Sequence, residues 1–386
     1  MELPGSNQKR DHVLIASILL LAGLGLVILY TSSYSYAQRT FMGDGLYLLR
    51  RQIVFGLIGF ALFILASIIN LEWLRKFIKP LVLFSLLLCL FPFIPFFSAS
   101  QNDHTNTARW IGLWGQTFQP SELVKLTLPL YLAHIFDKKK DNLNLLFRGI
   151  IPPALVTGAF FLFISLQNNF STAVFLALNA LFIFYLAGIK FRYFLSAILL
   201  IIPTGAILIL NREHRLMRVL SFIFPQFEPQ GAGYQVRQSI LAINSGGFWG
   251  TGIGQGTRNI VSVPEIHSDF IFASYAEEMG FLGVILFCVL FGIFAFRGYK
   301  ASMGNENPFN RLLGCGFVTM IVSQVLLNIS VTAGALPATG IPLPFFSAGG
   351  SSLFITLIMA GFIVNVSRQK NPAEKDNMFD IYGGEA

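Results

Sequence analysis

A lone carboxylate, Asp269, closes a polar stretch of 59 residues (211–269), and an apolar run resumes directly after it at Phe270. A carboxylate in this position could take a proton from a hydroxyl as a new bond forms. It could equally cap the helix that follows, as could Ser268. At the start of the same stretch, Arg212, Arg215 and Arg218 recur every three residues, while Leu216, Val219, Leu220 and Ile223 keep helical spacing. That pattern predicts an amphipathic helix lying on a membrane surface. Its guanidinium groups suit anionic headgroups in general, or bidentate capture of a pyrophosphate in particular. Farther back, Pro120 opens a segment in which Glu122 and Lys125 stand three apart. Such spacing puts both on one helix face. They either pair with each other or line a water-filled cavity, because ionisable groups within a membrane seldom face lipid. Glu277 and Glu278, in the span after Asp269, meet the same constraint, and Lys125 is a candidate partner for them.

A second surface helix is expected over 233–243, carrying Tyr234, Gln235 and Gln238, followed by a glycine-rich run at 246–256. The glycine spacing misses GxGxxG and no strand precedes it, so it reads as a loop free to make unusual turns. The uncharged Pro- and Gly-rich segment 333–353, ending in Gly350, Ser351 and Ser352, is either a re-entrant piece buried in protein or a plain connection. The chain has no P-loop, HExxH or GxSxG motif, and its three cysteines all fall in apolar runs, without metal-ligand spacing.

The elements that must position these groups are membrane spans. Hydrophobic residues make up 54% of the 386 and charged residues only 12%, about half the charged share of a soluble domain. Ten apolar segments are long enough to be candidate spans: 13–31, 52–70, 78–97, 120–136, 150–166, 171–188, 193–210, 270–296, 312–331 and 350–366. The first follows Lys9 and Arg10 but is too long for a signal-peptide core, so it is read as a retained span. Most of the 27 Lys and Arg residues fall on one side of this arrangement. The positive-inside bias then puts both termini in the cytoplasm and the 211–269 stretch outside, and makes the net charge of +8 a topology signal, not a sign of nucleic-acid binding. The expected fold class is an all-α polytopic membrane protein of about ten transmembrane helices, with a large extracytoplasmic loop between the seventh and eighth. It forms a single membrane domain over 13–368, with a short cytoplasmic N-terminus at 1–12 and a disordered cytoplasmic tail at 369–386.

Together these residues resemble the SEDS family (shape, elongation, division and sporulation). The resemblance runs from about residue 13 to 368. It is carried by Arg109-Trp110, by Gln119-Pro120-Ser121-Glu122 with Lys125, and by Gly233-Tyr234-Gln235 with Gln238-Ser239. It continues in Pro264-Glu265, His267-Ser268-Asp269-Phe270, Ala276-Glu277-Glu278 with Gly280, and Pro342-Leu343-Pro344 with Gly349-Gly350-Ser351-Ser352. Gly350-Ser351-Ser352-Leu353 and Asn365-Val366-Ser367-Arg368 look more like the division and sporulation branch (FtsW-like) than the elongation branch (RodA-like). The family's pattern implies a ten-span protein of the bacterial inner membrane that polymerises lipid II into peptidoglycan strands beside a class B penicillin-binding protein transpeptidase. By that resemblance Asp269 is the catalytic carboxylate, and Arg109, Glu122 and Lys125 are charged cavity positions. The chain departs from the pattern at Gln167-Asn168-Asn169-Phe170, where the family often has Gln-Pro-Asp-Phe, so no role of that acid carries over.

The implied reaction joins a sugar hydroxyl to an anomeric carbon bearing a lipid pyrophosphate. Asp269 is the expected base, and Arg109, Lys125, Arg215 and Arg218, or a divalent cation such as Mg2+, are the expected source of charge neutralisation. Tyr234, Gln235, Gln238 and Ser351 complete the expected substrate contacts, with Glu277 and Glu278 as structural or cavity residues. One base without a nucleophilic carboxylate implies a single inverting displacement. Two other classes of function fit the same residues: a flippase for a lipid-linked precursor, and a non-catalytic scaffold for the transpeptidase.

Overall fold

A computed structural model describes residues 11–94, 109–113, 116–224, 231–256 and 267–368. Expectations for Pro264 and Glu265, for residues 1–10 and for the tail from 369 lie outside the described residues. Among the described residues, thirteen α-helices follow one another: α1 (His12–Thr40), α2 (Tyr47–Ile68), α3 (Leu71–Arg75), α4 (Ile78–Leu88), α5 (Pro120–Lys138), α6 (Ile151–Leu166), α7 (Phe170–Leu186), α8 (Phe191–Leu210), α9 (Glu213–Ile223), α10 (Ala232–Gly246), α11 (Ile271–Met303), α12 (Pro308–Thr332) and α13 (Gly350–Arg368). Six helical segments among the described residues are long and apolar enough to cross a membrane: Leu146–Leu166, which takes in α6, and α1, α2, α11, α12 and α13. The protein is thus an all-α, multi-pass membrane protein. Nine of the ten expected spans fall largely on helices, and α1 and α11 run beyond the ends the sequence suggested, whereas the third, expected over 78–97, carries a helix that ends at Leu88.

The departure from helix among the described residues is a small antiparallel hairpin. Here β1 (Ile111–Leu113) pairs with β2 (Gln116–Phe118), with Ile111 opposite Phe118. It directly precedes α5, whose first residue, Pro120, has no N–H to leave unsatisfied in the first turn. Likewise α12 starts where the Asn307 side chain accepts from the Phe309 and Asn310 amides, with Pro308 as its first residue.

α12 and α13 are the most buried of the six spans. Around them pack α1, α2, α5, α7 and α11, so the core is a continuous apolar interior from Leu14 to Val366. α11 is broken at Gly280, whose φ of 64° lies in the left-handed region. The 247–254 loop fills the break. Gly247 and Phe248 carbonyls accept from Phe281 and Leu282 amides, while Thr251 and Gly252 amides donate to Glu277 and Glu278 carbonyls. A Cβ on Gly280 would stand 2.2 Å from the Gly250 nitrogen, so the approach of the two backbones requires glycine. The glycine run is therefore a structural loop that repairs a broken helix.

Candidate active site

Asp269 lies one residue ahead of the N-cap of α11, which is Phe270 and makes no side-chain cap bond. Asp269 is thus not itself the N-cap residue. Its Oδ1 accepts the Ser268 hydroxyl at 2.9 Å. Its backbone is held with unusual completeness, because three consecutive carbonyls each accept a hydrogen bond from elsewhere in the fold. The Ala348 amide donates to His267 at 2.8 Å. Ser347 Oγ donates to Ser268 at 2.5 Å. Asn328 Nδ2 donates to Asp269 at 2.8 Å. Ser347 in turn accepts the Leu343 amide, and Gln52 of α2 donates to the Ser347 carbonyl. The 340–349 part of the uncharged segment is thus a structured wall behind Asp269, buried at Ile341 and Leu343–Ser347, while 333–339 is exposed or half-buried. Gly340 in that wall has φ +70°, and a Cβ there would stand 3.4 Å from Asp269 Oδ2. On the other side His267 is buried and packs against the ring of Tyr36 of α1 at 4.4 Å between centroids. Burial pushes the imidazole down to about 4, so it is neutral at physiological pH.

Three of the arginines named from sequence come together around this corner. Arg109, just ahead of β1, is pulled below the ordinary guanidinium value first by burial and then by repulsion from Arg218, with Asp269 acting in the opposite sense and Arg215 adding further repulsion. It remains a permanent cation. Arg218 of α9 reaches the Ala338 carbonyl at 3.5 Å, two residues from Gly340. Arg215 is committed to the fold: its two terminal nitrogens donate to the Leu208 and Ser165 carbonyls, and its guanidinium lies 4.8 Å above the Phe170 ring. α10 lies beside the same corner, where Val236 packs against Phe270 and Val331 and Ser239 donates to the Thr332 carbonyl. Tyr234, Gln235 and Gln238 are half-buried along that helix.

The remaining named residues sit in the protein interior. Glu122 and Lys125 pair at 2.8 Å and are almost wholly buried. Lys125 Nζ also donates to Gln324 Oε1 at 3.1 Å, so of the partners expected for it Glu122 is realised, and Gln324 stands in place of Glu277 or Glu278. Glu278 instead accepts the Gly254 amide, and Glu277 is buried beside it. Ser351 is buried in the first turn of α13. Asn169, at the position of the absent acid, donates to Ser121 Oγ next to Glu122. Residues not singled out from sequence are Gln52, Gln324, Asn328, Gly340 and Ser347. The signal for the two amides was available: Gln324 and Asn328 stand one turn apart within an otherwise apolar span, where an unbonded polar group is costly.

The cell cycle protein family of FtsW, RodA and SpoVE matches residues 11–372. This chain belongs to that family. Among curated relatives it is 33% identical to the Geobacter sulfurreducens protein named "Probable peptidoglycan glycosyltransferase FtsW", over 93% of this chain and 95% of the relative. It is also 33% identical to stage V sporulation protein E of Bacillus subtilis, over 93% and 97%. Among solved structures, a chain from a peptidoglycan synthase complex that coordinates polymerization and crosslinking superposes with a TM-score of 0.75 at 29% identity, covering 94% of this chain and 99% of that one. The crystal structure of the rod shape determining protein RodA of Thermus thermophilus gives 0.66 at 25%, covering 94% and 97%. The division and sporulation relatives agree with the branch read from 350–353 and 365–368.

Proposed function

We propose that this protein is a peptidoglycan glycosyltransferase that polymerises lipid II into β-1,4 glycan strands at the outer face of the bacterial cytoplasmic membrane, beside a class B penicillin-binding protein transpeptidase. The observation that carries the reading is the corner at Asp269: one carboxylate on a backbone fixed through three consecutive carbonyls, within electrostatic reach of Arg109.

An acceptor sugar hydroxyl is a weak nucleophile. As its oxygen attacks the anomeric carbon, its proton passes to Asp269, and the bond to the lipid pyrophosphate breaks with its electrons leaving on that group. The leaving group needs charge neutralisation, which Arg109 and Arg218 supply from fixed positions. Arg215 holds α9 against the bundle and so places Arg218. With Asp269 as base and no nucleophilic carboxylate beside it among the described residues, the displacement is single and inverts the anomeric centre. Among the described residues no three His, Cys, Asp or Glu side chains converge into a cation site. The arginines carry the neutralisation, with or without a divalent cation such as Mg2+.

The test is polymerisation of labelled lipid II by detergent-solubilised protein, with and without the partner transpeptidase. Chain growth by wild type and none by Asp269→Asn is the expected result. No growth under either condition, with correctly folded protein, favours transport across the membrane. Growth by Asp269→Asn near the wild-type rate overturns the assignment of the base.

A further inference from the structure

Gln324 and Asn328 stand one helical turn apart on α12, each about 1% exposed, in a helix that is otherwise largely apolar. Their amides take two consecutive carbonyls of the wall: Gln324 Nε2 donates to Pro342 at 2.7 Å and Asn328 Nδ2 to Ile341 at 2.9 Å. The same Asn328 nitrogen donates to the Asp269 carbonyl at 2.8 Å. One side-chain amide thus joins the segment that carries the carboxylate to the segment that faces it at Gly340, where a Cβ would meet Asp269 Oδ2. Behind it, Gln324 Oε1 accepts from Lys125, which is itself neutralised by Glu122.

We propose that Asn328, supported by Gln324, is a positioning residue that clamps the 340–342 wall against Asp269, and that the buried Glu122–Lys125 pair anchors this clamp from inside the bundle and does not touch substrate. Only a side chain with two N–H donors can hold two carbonyls at once. An aspartate would set oxygen against both, and an alanine would leave the buried Ile341 carbonyl and the part-buried Asp269 carbonyl without this donor. Gln324→Glu separates the two bonds of its own amide: it keeps an acceptor for Lys125 and removes the donor to Pro342.

The inference rests on Asp269 acting as the base, so two readouts are needed. The first is amide hydrogen exchange of wild type, Asn328→Ala, Asn328→Ser and Gln324→Glu in detergent. Faster exchange in peptides covering 267–274 and 339–348, with the inner ends of α1 and α5 unchanged, is expected. The second is lipid II turnover by the same proteins. Asn328→Ala is expected to lower kcat by about 10- to 100-fold with KM little changed, the scale of a misplaced catalytic group. Asn328→Ser, which keeps one donor, falls between it and wild type, and Gln324→Glu loses about 3- to 10-fold. Unchanged exchange overturns the clamp whether or not any polymer forms. Faster exchange with wild-type kcat, a raised KM at constant kcat, or a loss matching only the folded fraction overturns the positioning role. Failure of wild type to polymerise would count against the glycosyltransferase reading, while the exchange data would still decide the clamp.

Discussion

The two ends of α1 touch two differently built regions. At its start, Asp11 caps the helix and pairs with Arg297 of α11. Nearby chemistry of the same kind joins Arg75 to Glu72 and Asp137. Every cation named there has a carboxylate. At the far end Tyr36 packs on His267, and the corner beyond it sets Arg109, Arg215 and Arg218 around Asp269 and fixes that residue with neutral donors. The first region uses charge to join helices. Among the described residues the second sets three arginines near one carboxylate and lets hydroxyls and amides do the holding, which leaves it suited to an anionic ligand. Charge alone is therefore a poor guide to function here, and what separates the regions is whether the charges cancel.

The sharpest way to break that distinction is to exchange the roles of its carboxylates. Asp269→Asn should reduce polymer formation by roughly 10³-fold or more, the upper range for loss of a general base, with its melting temperature close to wild type. Asp137→Asn, at the paired end, should do the reverse, lowering the melting temperature and leaving turnover per folded molecule intact. Equal effects on turnover would dissolve the comparison. Next in size is Arg109→Ala, expected to cost about 10²-fold in turnover as one fixed electrostatic contact to the leaving group is lost. Arg109→Lys should recover only part of it, because an ammonium lacks the planar fork.

How far the sequence foretold this depends on the kind of interaction. The spans were legible because about 20 apolar residues are needed to cross a bilayer, and periodicity located α9 and α10. Asp269 stood out because it closes the polar stretch where the apolar run resumes, and Arg215 and Arg218 by their spacing on an amphipathic helix. The clamp did not stand out. Gln52, Asn328 and Ser347 act through backbone carbonyls on segments far apart in the chain, and a carbonyl has no side-chain signature. For Lys125 the sequence offered two partners, a local carboxylate at i, i+3 and a distant one in the later span, and the local one won. The hairpin at 111–118 was missed because three-residue strands carry too little alternation to see.

His267 sharpens the comparison through pH. Burial holds its folded value near 4 against an ordinary 6.5. The unfolded chain therefore binds a proton that the folded protein refuses across that interval. The contribution to stability is complete above 6.5 and is lost as pH falls toward 4, by up to about 3 kcal/mol. Melting temperatures of wild type should fall over this window, and those of His267→Asn should fall less. A wild-type curve that is flat between 6.5 and 4 would place the imidazole in contact with water.

The smallest expected effect belongs to the paired end. Burial pulls Asp11 upward, but hydrogen bonds from Arg297 and the Leu14 amide outweigh it and hold the carboxyl below its ordinary 3.8. A group lowered on folding stabilises above its unfolded value and loses that contribution as pH drops through the folded one. Arg297 is about one-third exposed, so solvent screens the pair and its worth is about 1 kcal/mol or less. Arg297→Ala should accordingly lower the melting temperature slightly at pH 7, less so in high salt, and leave polymerisation per folded molecule unchanged. If Arg297→Ala instead depressed turnover as strongly as Arg109→Ala, the paired end would be acting on the reaction through the length of α1, and the separation between a region that joins helices and a region that handles anions would fail.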